Sequence, residues 1–123
     1  MAGAPTWKIY YDSAQTFWDN DWQKTISLLA RAEKSALSDL GIYDDNYLAI
    51  VNDLGLAYTH TKDYSTAEKL FTKIIATRTD LGNTSDSEYI NAVMNLASVY
   101  AESANVKQAA ALYNLHKHEN VPA

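Results

Sequence analysis

Apolar side chains recur along this chain at three- and four-residue steps, the period of helices that bury one face. Leu54, Gly55 and Tyr58 share one such face, and Ala67, Leu70, Phe71 and Ile74 share the next. Upstream, Trp7, Tyr10, Tyr11, Ala14, Phe17 and Trp18 form an aromatic-rich helical face behind Thr6, a residue type suited to capping a helix start. Ile26, Leu29, Ala32, Ala36 and Leu37 mark the inward side of a second helix from about Trp22 to Ser38. The same spacing predicts helices over Asp45–Thr61, Tyr64–Thr79 and Asp86–Ser103, and a sixth from Val106 to about His118. Asp39-Leu40-Gly41 and Asp80-Leu81-Gly82 each end a helix with a glycine able to turn left-handed. Ser85 and Glu88 have the spacing of a capping box before the fifth helix, and Asp44 or Asp45 serves the third.

The stretch from Tyr47 to Tyr113 contains one pattern twice. A shift of 42 residues carries Tyr47 onto Tyr89, Val51 onto Val93, Leu54 onto Leu96 and Tyr58 onto Tyr100. It also carries Ala67 onto Ala109, Leu70 onto Leu112 and Phe71 onto Tyr113, without a gap. A period of this length implies stacked helix pairs in place of one closed core. Gly55, Ala67, Ala97 and Ala109 are small enough to let paired axes approach, while Tyr58, Phe71, Tyr100 and Tyr113 supply bulk between pairs. A degenerate first copy spans about 6–41, followed by copies over about 44–82 and 86–120. Its register is ambiguous, because Trp22 aligns with Tyr64 at 42 residues but Asp39-Leu40-Gly41 aligns with Asp80-Leu81-Gly82 at 41. The expected architecture is all-α, one domain of three antiparallel helix pairs over residues 1–123.

Leu54-Gly55-x-x-Tyr58 and Leu96-Ala97-x-x-Tyr100 in first helices, with Ala67-x-x-x-Phe71 and Ala109-x-x-x-Tyr113 in second helices, resemble the signature of the tetratricopeptide repeat. The period exceeds the roughly 34 residues of the common form. It is similar to that of the extended repeats of kinesin light chains and of bacterial scaffold and signalling proteins. The resemblance implies a right-handed α-solenoid that acts as a scaffold, and it carries no chemistry with it.

Composition narrows the function classes. The 123 residues make one domain, and a hydrophobic content of 47% is enough for a helical core. Without cysteine there is no disulfide framework, thiol nucleophile or cysteine-based zinc site. A net charge of -5 argues against binding a phosphate backbone, so no nucleic-acid partner is expected. No apolar run approaches the roughly 18–20 residues of a membrane span, and no signal-peptide pattern opens the chain. A cytoplasmic location is favoured, with the reservation that Met1-Ala2-Gly3-Ala4-Pro5 reads as a short lead and the chain as a possible fragment.

The residues offer little for catalysis. His116 and His118 flank Lys117, but positions two apart on a helix point to different faces and no third ligand is near in sequence, so neither a metal nor a cofactor is expected. His60 with Asp63 has the residue types of an acid/base pair, yet it stands beside a turn, where a solvated or capping role is the simpler reading. The four glycines do not cluster into a phosphate cradle, and no serine sits in a nucleophile elbow. The chain is read as a non-enzyme.

Binding is the stronger expectation. In tetratricopeptide arrays the first helices line a concave groove, and by that resemblance Asn52, Asp53, Leu56 and His60 would face a ligand from the middle repeat. Asn91, Asn95, Ser98 and Glu102 would do so from the last. A carboxamide such as Asn52 or Asn95 both donates and accepts, and so can hold an extended peptide backbone; the plainer reading is a solvated helix face. Chaperone-adaptor relatives grip a terminal carboxylate with lysines and arginines, and here the first helices have none from Asp44 to Thr61 or from Asp86 to Ala101. The expected partner is therefore a neutral or basic protein segment. Trp7, Tyr11 and Trp18 offer an aromatic surface, either as filling for the terminal core or as a second contact site. Ala109, Ala110, Ala111, Leu112, Tyr113 and Leu115 leave an apolar open end, through which copies could associate. The leading reading is a non-catalytic interaction scaffold; the alternative is a regulatory segment relaying a binding event to a fused catalytic domain.

Overall fold

Aspartate starts most of the helices. The computed structural model describes residues 3–103, 105, 108 and 110–114. Its helices are α1 (Thr6–Phe17), α2 (Trp22–Leu40), α3 (Asp45–His60), α4 (Tyr64–Asp80) and α5 (Ser87–Glu102). Residues 110–114 are also helical, and the remainder of the expected sixth helix, with His116 and His118, lies outside the described residues. Asp21, Asp44, Asp63 and Asp86 are the N-caps of α2 to α5, each carboxylate accepting backbone N–H bonds from the first turn at 2.8–3.3 Å. Unpaired amides and the positive end of the helix dipole both favour an anionic acceptor there.

These caps resolve the repeat register. Asp21 and Asp63 stand 42 residues apart, as do Asp44 and Asp86, so every helix start after α1 keeps one period. The single-residue slip is absorbed in the loops between pairs. Gly41 precedes its next cap by three residues and Gly82 by four. Both glycines have positive φ, 87° and 74°, as their helix-ending positions require.

Three local expectations are corrected. Thr6 is not a cap: Pro5 precedes α1, and its carbonyl accepts from Lys8 and Ile9 N–H at 3.0 and 3.2 Å with no side-chain cap bond. Proline supplies a φ near −60° in advance, so no hydroxyl is needed to start the turn. Ser85 and Glu88 form no capping box, because the carboxylate of Asp86 takes the Tyr89 N–H at 2.9 Å and moves the helix start one residue on. Leu37 faces outward at 38% exposure. The inward series on α2 is Thr25, Leu29, Ala32 and Ala36, continued by Leu40, and the Thr25 hydroxyl is satisfied by the Asp21 carbonyl at 2.8 Å.

Each helix packs against its neighbours in sequence, and α3 touches α5 only sparsely. A continuous core runs from Ala32 and Ala36 on α2, through Tyr47, Ile50 and Val51 on α3 and Phe71 and Ile74 on α4, to Ala92, Leu96 and Val99 on α5. A smaller cluster of Ala14, Leu29, Leu54 and Ala57 joins α1 to α2 and α3. Phe71 is fully buried, and its ring lies against Gly55: a Cβ added there would meet Phe71 Cε1 and Cζ at 2.7 Å. The equivalent positions of the next repeat are Ala97 and Tyr113, and Tyr113 is 49% exposed.

One ionic contact joins three elements. Arg78, 4% exposed, donates to Asp45 Oδ1 at 2.8 Å and lies 3.9 Å from Asp86 Oδ2. It ties the end of α4 to the start of α3 and the cap of α5.

Two stability predictions follow from this packing. Overpacking beside a fixed ring costs about 1–3 kcal/mol, offset by at most about 1 kcal/mol of added helix propensity. Gly55→Ala should thus lower the urea unfolding midpoint, and Phe71→Leu in that background should recover part of the loss. Arg78→Ala should lower the unfolding free energy by about 2–3 kcal/mol by emptying a buried position between three elements. Asp45→Ala, which removes a largely solvated carboxylate, should cost less than about 1 kcal/mol in the same assay.

Candidate interaction surface

Three- and four-residue steps place Asp53, Leu56 and His60 along one side of α3, with Asn52 beside them, and Asn91, Asn95, Ser98 and Glu102 along one side of α5. Because α3 and α5 meet only sparsely, the two stripes border a cleft that the side chains do not fill. It holds two cavities. The larger, about 340 Å³, is bordered by Leu56, Thr59 and His60 on α3 and by Asn95, Ser98 and Glu102 on α5. Lys62 and Tyr64, from the turn and the start of α4, complete its wall. The smaller, about 130 Å³, has Leu48, Ala49 and Ile74 as apolar walls and Asn52, Asp53, Glu88 and Asn91 as its polar groups. Each of the eight groove residues singled out in the sequence lines one cavity or the other.

The asparagines are not idle. Asn95 Nδ2 donates to Asn52 Oδ1 at 2.9 Å, bridging α3 and α5. Asn52 also hydrogen-bonds Asp53. Asp53 Oδ2 in turn accepts from Tyr11 Oη at 2.6 Å and from Gln15 Nε2 at 3.4 Å. A polar network thus crosses α1, α3 and α5, the first helices of all three repeats. Asn52 and Asn95, either of which was expected to hold a peptide backbone, bond each other, with part of their four-fold bonding capacity left over.

Asp53 is the unusual group in this network. Burial pushes its carboxyl above the ordinary value of 3.8, and the donors Tyr11, Gln15 and Asn52 only partly oppose this. Burial, reinforced by the bond to Asp53, likewise pushes the Tyr11 hydroxyl up. Among the described residues, no lysine, arginine or histidine forms an ion pair with Asp53 or with Glu88.

The aromatic residues are divided between the two cores. Trp7 and Tyr11 pack against the main core, and Trp18 against the smaller cluster. The Trp18 and Trp22 rings meet edge to face at 4.9 Å, and Trp22 stacks on His60 at 4.4 Å with 10° between planes. His60 is thus a stacking group at the rim of the larger cavity. Its imagined partner Asp63 is occupied as the α4 cap, bonding Thr66 through both backbone and hydroxyl. Among the described residues, no group of three or more His, Cys, Asp or Glu could hold a metal ion, and no helix is long and apolar enough to cross a membrane.

Seven cavity residues were not expected in the groove: the apolar walls Leu48, Ala49 and Ile74, and Thr59, Lys62, Tyr64 and Glu88. Thr59 and Glu88 sit one helical position from expected groove residues or one turn before them. Lys62 and Tyr64 enter from the turn, where Lys62 has a φ of 66°. A non-glycine residue between a helix end and an aspartate cap was the available signal.

The fold has a known counterpart. BtubC (BKLC) from P. vanneervenii, a kinesin light chain-like tetratricopeptide-type protein, matches with a TM-score of 0.84 and 17% identity, over 98% of this chain and 50% of that one. This chain is a tetratricopeptide-like α-solenoid. At that identity the likeness shows the fold alone, and the chain spans half the length of BtubC. No protein-family model and no curated protein matches the sequence.

The displaced carboxyl carries a pH prediction. With a folded pKa above the unfolded value, Asp53 contributes stability that is full below about pH 3.8 and is lost as pH rises through the raised value. The unfolding free energy of the parent minus that of Asp53→Asn should therefore fall with rising pH across this window and be flat above it, in urea titrations at a series of pH values. Tyr11→Phe, which removes an opposing donor, should move the Asp53 carboxyl higher still in a carbon NMR titration.

Proposed function

We propose that this chain is a non-catalytic interaction scaffold that holds an extended segment of a partner protein along the face formed by α3 and α5. The observation that carries this reading is the pair of cavities in line along one cleft, the smaller walled by Leu48, Ala49 and Ile74 and the larger offering Leu56 and Tyr64 among polar side chains. From Leu48 to His60 the cleft follows α3 for about 18 Å at 1.5 Å per residue. An extended segment of about five or six residues spans that length at roughly 3.3 Å each.

The chemistry of the face favours a neutral or basic segment. The described helices α3 and α5 contain no lysine or arginine, so they offer no clamp for a terminal carboxylate. Spare acceptors and donors on Asn52, Asn91 and Asn95 suit a peptide backbone, and Leu56 and Tyr64 suit an apolar side chain in the larger cavity. The tetratricopeptide-like fold supports a scaffold in general; the choice of face rests on the cavities.

Ser98 gives a direct test. It is exposed and lines the larger cavity, so Ser98→Arg should fill the cleft without disturbing the core. With hexapeptides selected from a displayed random library, Ser98→Arg should weaken binding about tenfold or more, equivalent to about 1.4 kcal/mol. Ser35→Arg on α2, matched for helicity, should leave affinity unchanged. Equal loss in both variants, or none in either, would move the binding site elsewhere.

A further inference from the structure

We infer that the smaller cavity is a specificity pocket for one lysine or arginine side chain of the bound segment, with Asp53 and Glu88 as its charge partners. This rests on the reading of the α3–α5 face as a binding surface, and adds which residue of the partner is selected and where.

The pocket's shape and chemistry agree on a cationic side chain. Its walls, Leu48, Ala49 and Ile74, are apolar, and at about 130 Å³ it admits a slender side chain. Long basic residues lay their methylene stems on such walls and keep the charged head at a polar rim. The polar groups here are two carboxylates, Asp53 and Glu88, with carboxamides whose oxygens can accept from a cation. None of the lining groups is cationic.

Asp53 supplies the driving force. Its partners among the described residues, Tyr11, Gln15 and Asn52, are neutral donors, so they solvate its half-buried charge without compensating it. A carboxylate has about four acceptor sites, and three donors leave one open. An incoming ammonium or guanidinium would meet that site in a partly desolvated setting, where charge-assisted bonds are about twice as strong as neutral ones. Glu88, exposed in the first turn of α5, also lines the pocket; with one carboxylate oxygen accepting from Ser87 Oγ at 3.2 Å, it has acceptor capacity left to hold the same cation. The larger cavity differs: Lys62 and His60 stand beside Glu102 there, so a second basic residue would not be favoured. The pocket thus also sets direction, with the basic residue of the segment toward the N-terminal end of α3 and its apolar residue toward His60.

A displayed random hexapeptide library, panned on the parent chain, tests this. Selected binders should carry lysine or arginine at one fixed position. For a synthetic binder, replacing that lysine by norleucine should weaken affinity about tenfold, as expected for a charge-assisted bond. Against a helicity-matched Asp53→Asn, Glu88→Gln double variant the lysine and norleucine peptides should bind equally. Glu88→Gln alone, which touches only an exposed side chain, guards against a folding defect in the double variant and should give an intermediate ratio. Binders that are lost with Ser98→Arg yet show no basic preference would overturn the pocket assignment and leave the binding face standing. A basic preference that persists in the double variant would overturn the pocket as well, and a library yielding no binders would overturn both readings.

Discussion

The approach of α3 to α4 at Gly55 and Phe71 is the contact on which the rest of the stack depends. A hydrogen is all that fits between the α3 backbone and the buried ring, so the two axes are fixed at a distance no other residue at position 55 would allow. That spacing presents Tyr47, Ile50 and Val51 to the core, leaves Leu56 at its edge, and puts Asn52, Asp53 and His60 outside it. A helix has one circumference to share. The side chains that close the α3–α4 pair therefore determine which ones are left for the cleft toward α5.

The network through Asp53 works against stability and for definition of the surface. A half-buried carboxylate with only neutral donors is raised in pKa, which means that its ionised form is disfavoured by the fold. An apolar residue at position 53 would remove that penalty and with it the bonds from Tyr11 and Gln15, the polar links between α1 and α3. Groups that lower stability while orienting neighbouring polar side chains are common where a surface has a ligand to meet. Asn52 and Asn95 extend the same logic to α5, fixing the separation of the cleft walls by a single carboxamide bond.

Much of the fold was legible because it was written twice. The 42-residue shift matched whole faces, and the Asp-Leu-Gly ends marked the loops between pairs. Details decided by competition within a single turn were not legible. Two adjacent residues at a helix start can both cap, and the stronger acceptor Asp86 displaced Ser85; Leu37 and Leu40 both fit the inward period of α2, and burial chose Leu40. The groove residues could be located from helical phase, which says which way a side chain leaves the axis. Phase says nothing of partners across the cleft, so the Asn52–Asn95 bond and the long-range pairing of Arg78 with Asp45 had no signature in sequence.

The repeats are alike in pattern, but their matched positions are not equally buried. Gly55 lies directly against buried Phe71; at the matched positions Ala97 already carries the methyl that Gly55 lacks, and Tyr113 is half exposed. In a stack whose energy is a sum of unit and nearest-neighbour terms, contacts between first helices belong to the neighbour term. The Asn52–Asn95 bond is such a contact, joining α3 of the middle pair to α5 across a cleft where the two helices otherwise meet only sparsely. It is polar where the Gly55–Phe71 contact within the pair is apolar, so the pair is closed by exclusion of water and its neighbour is oriented by a directional bond.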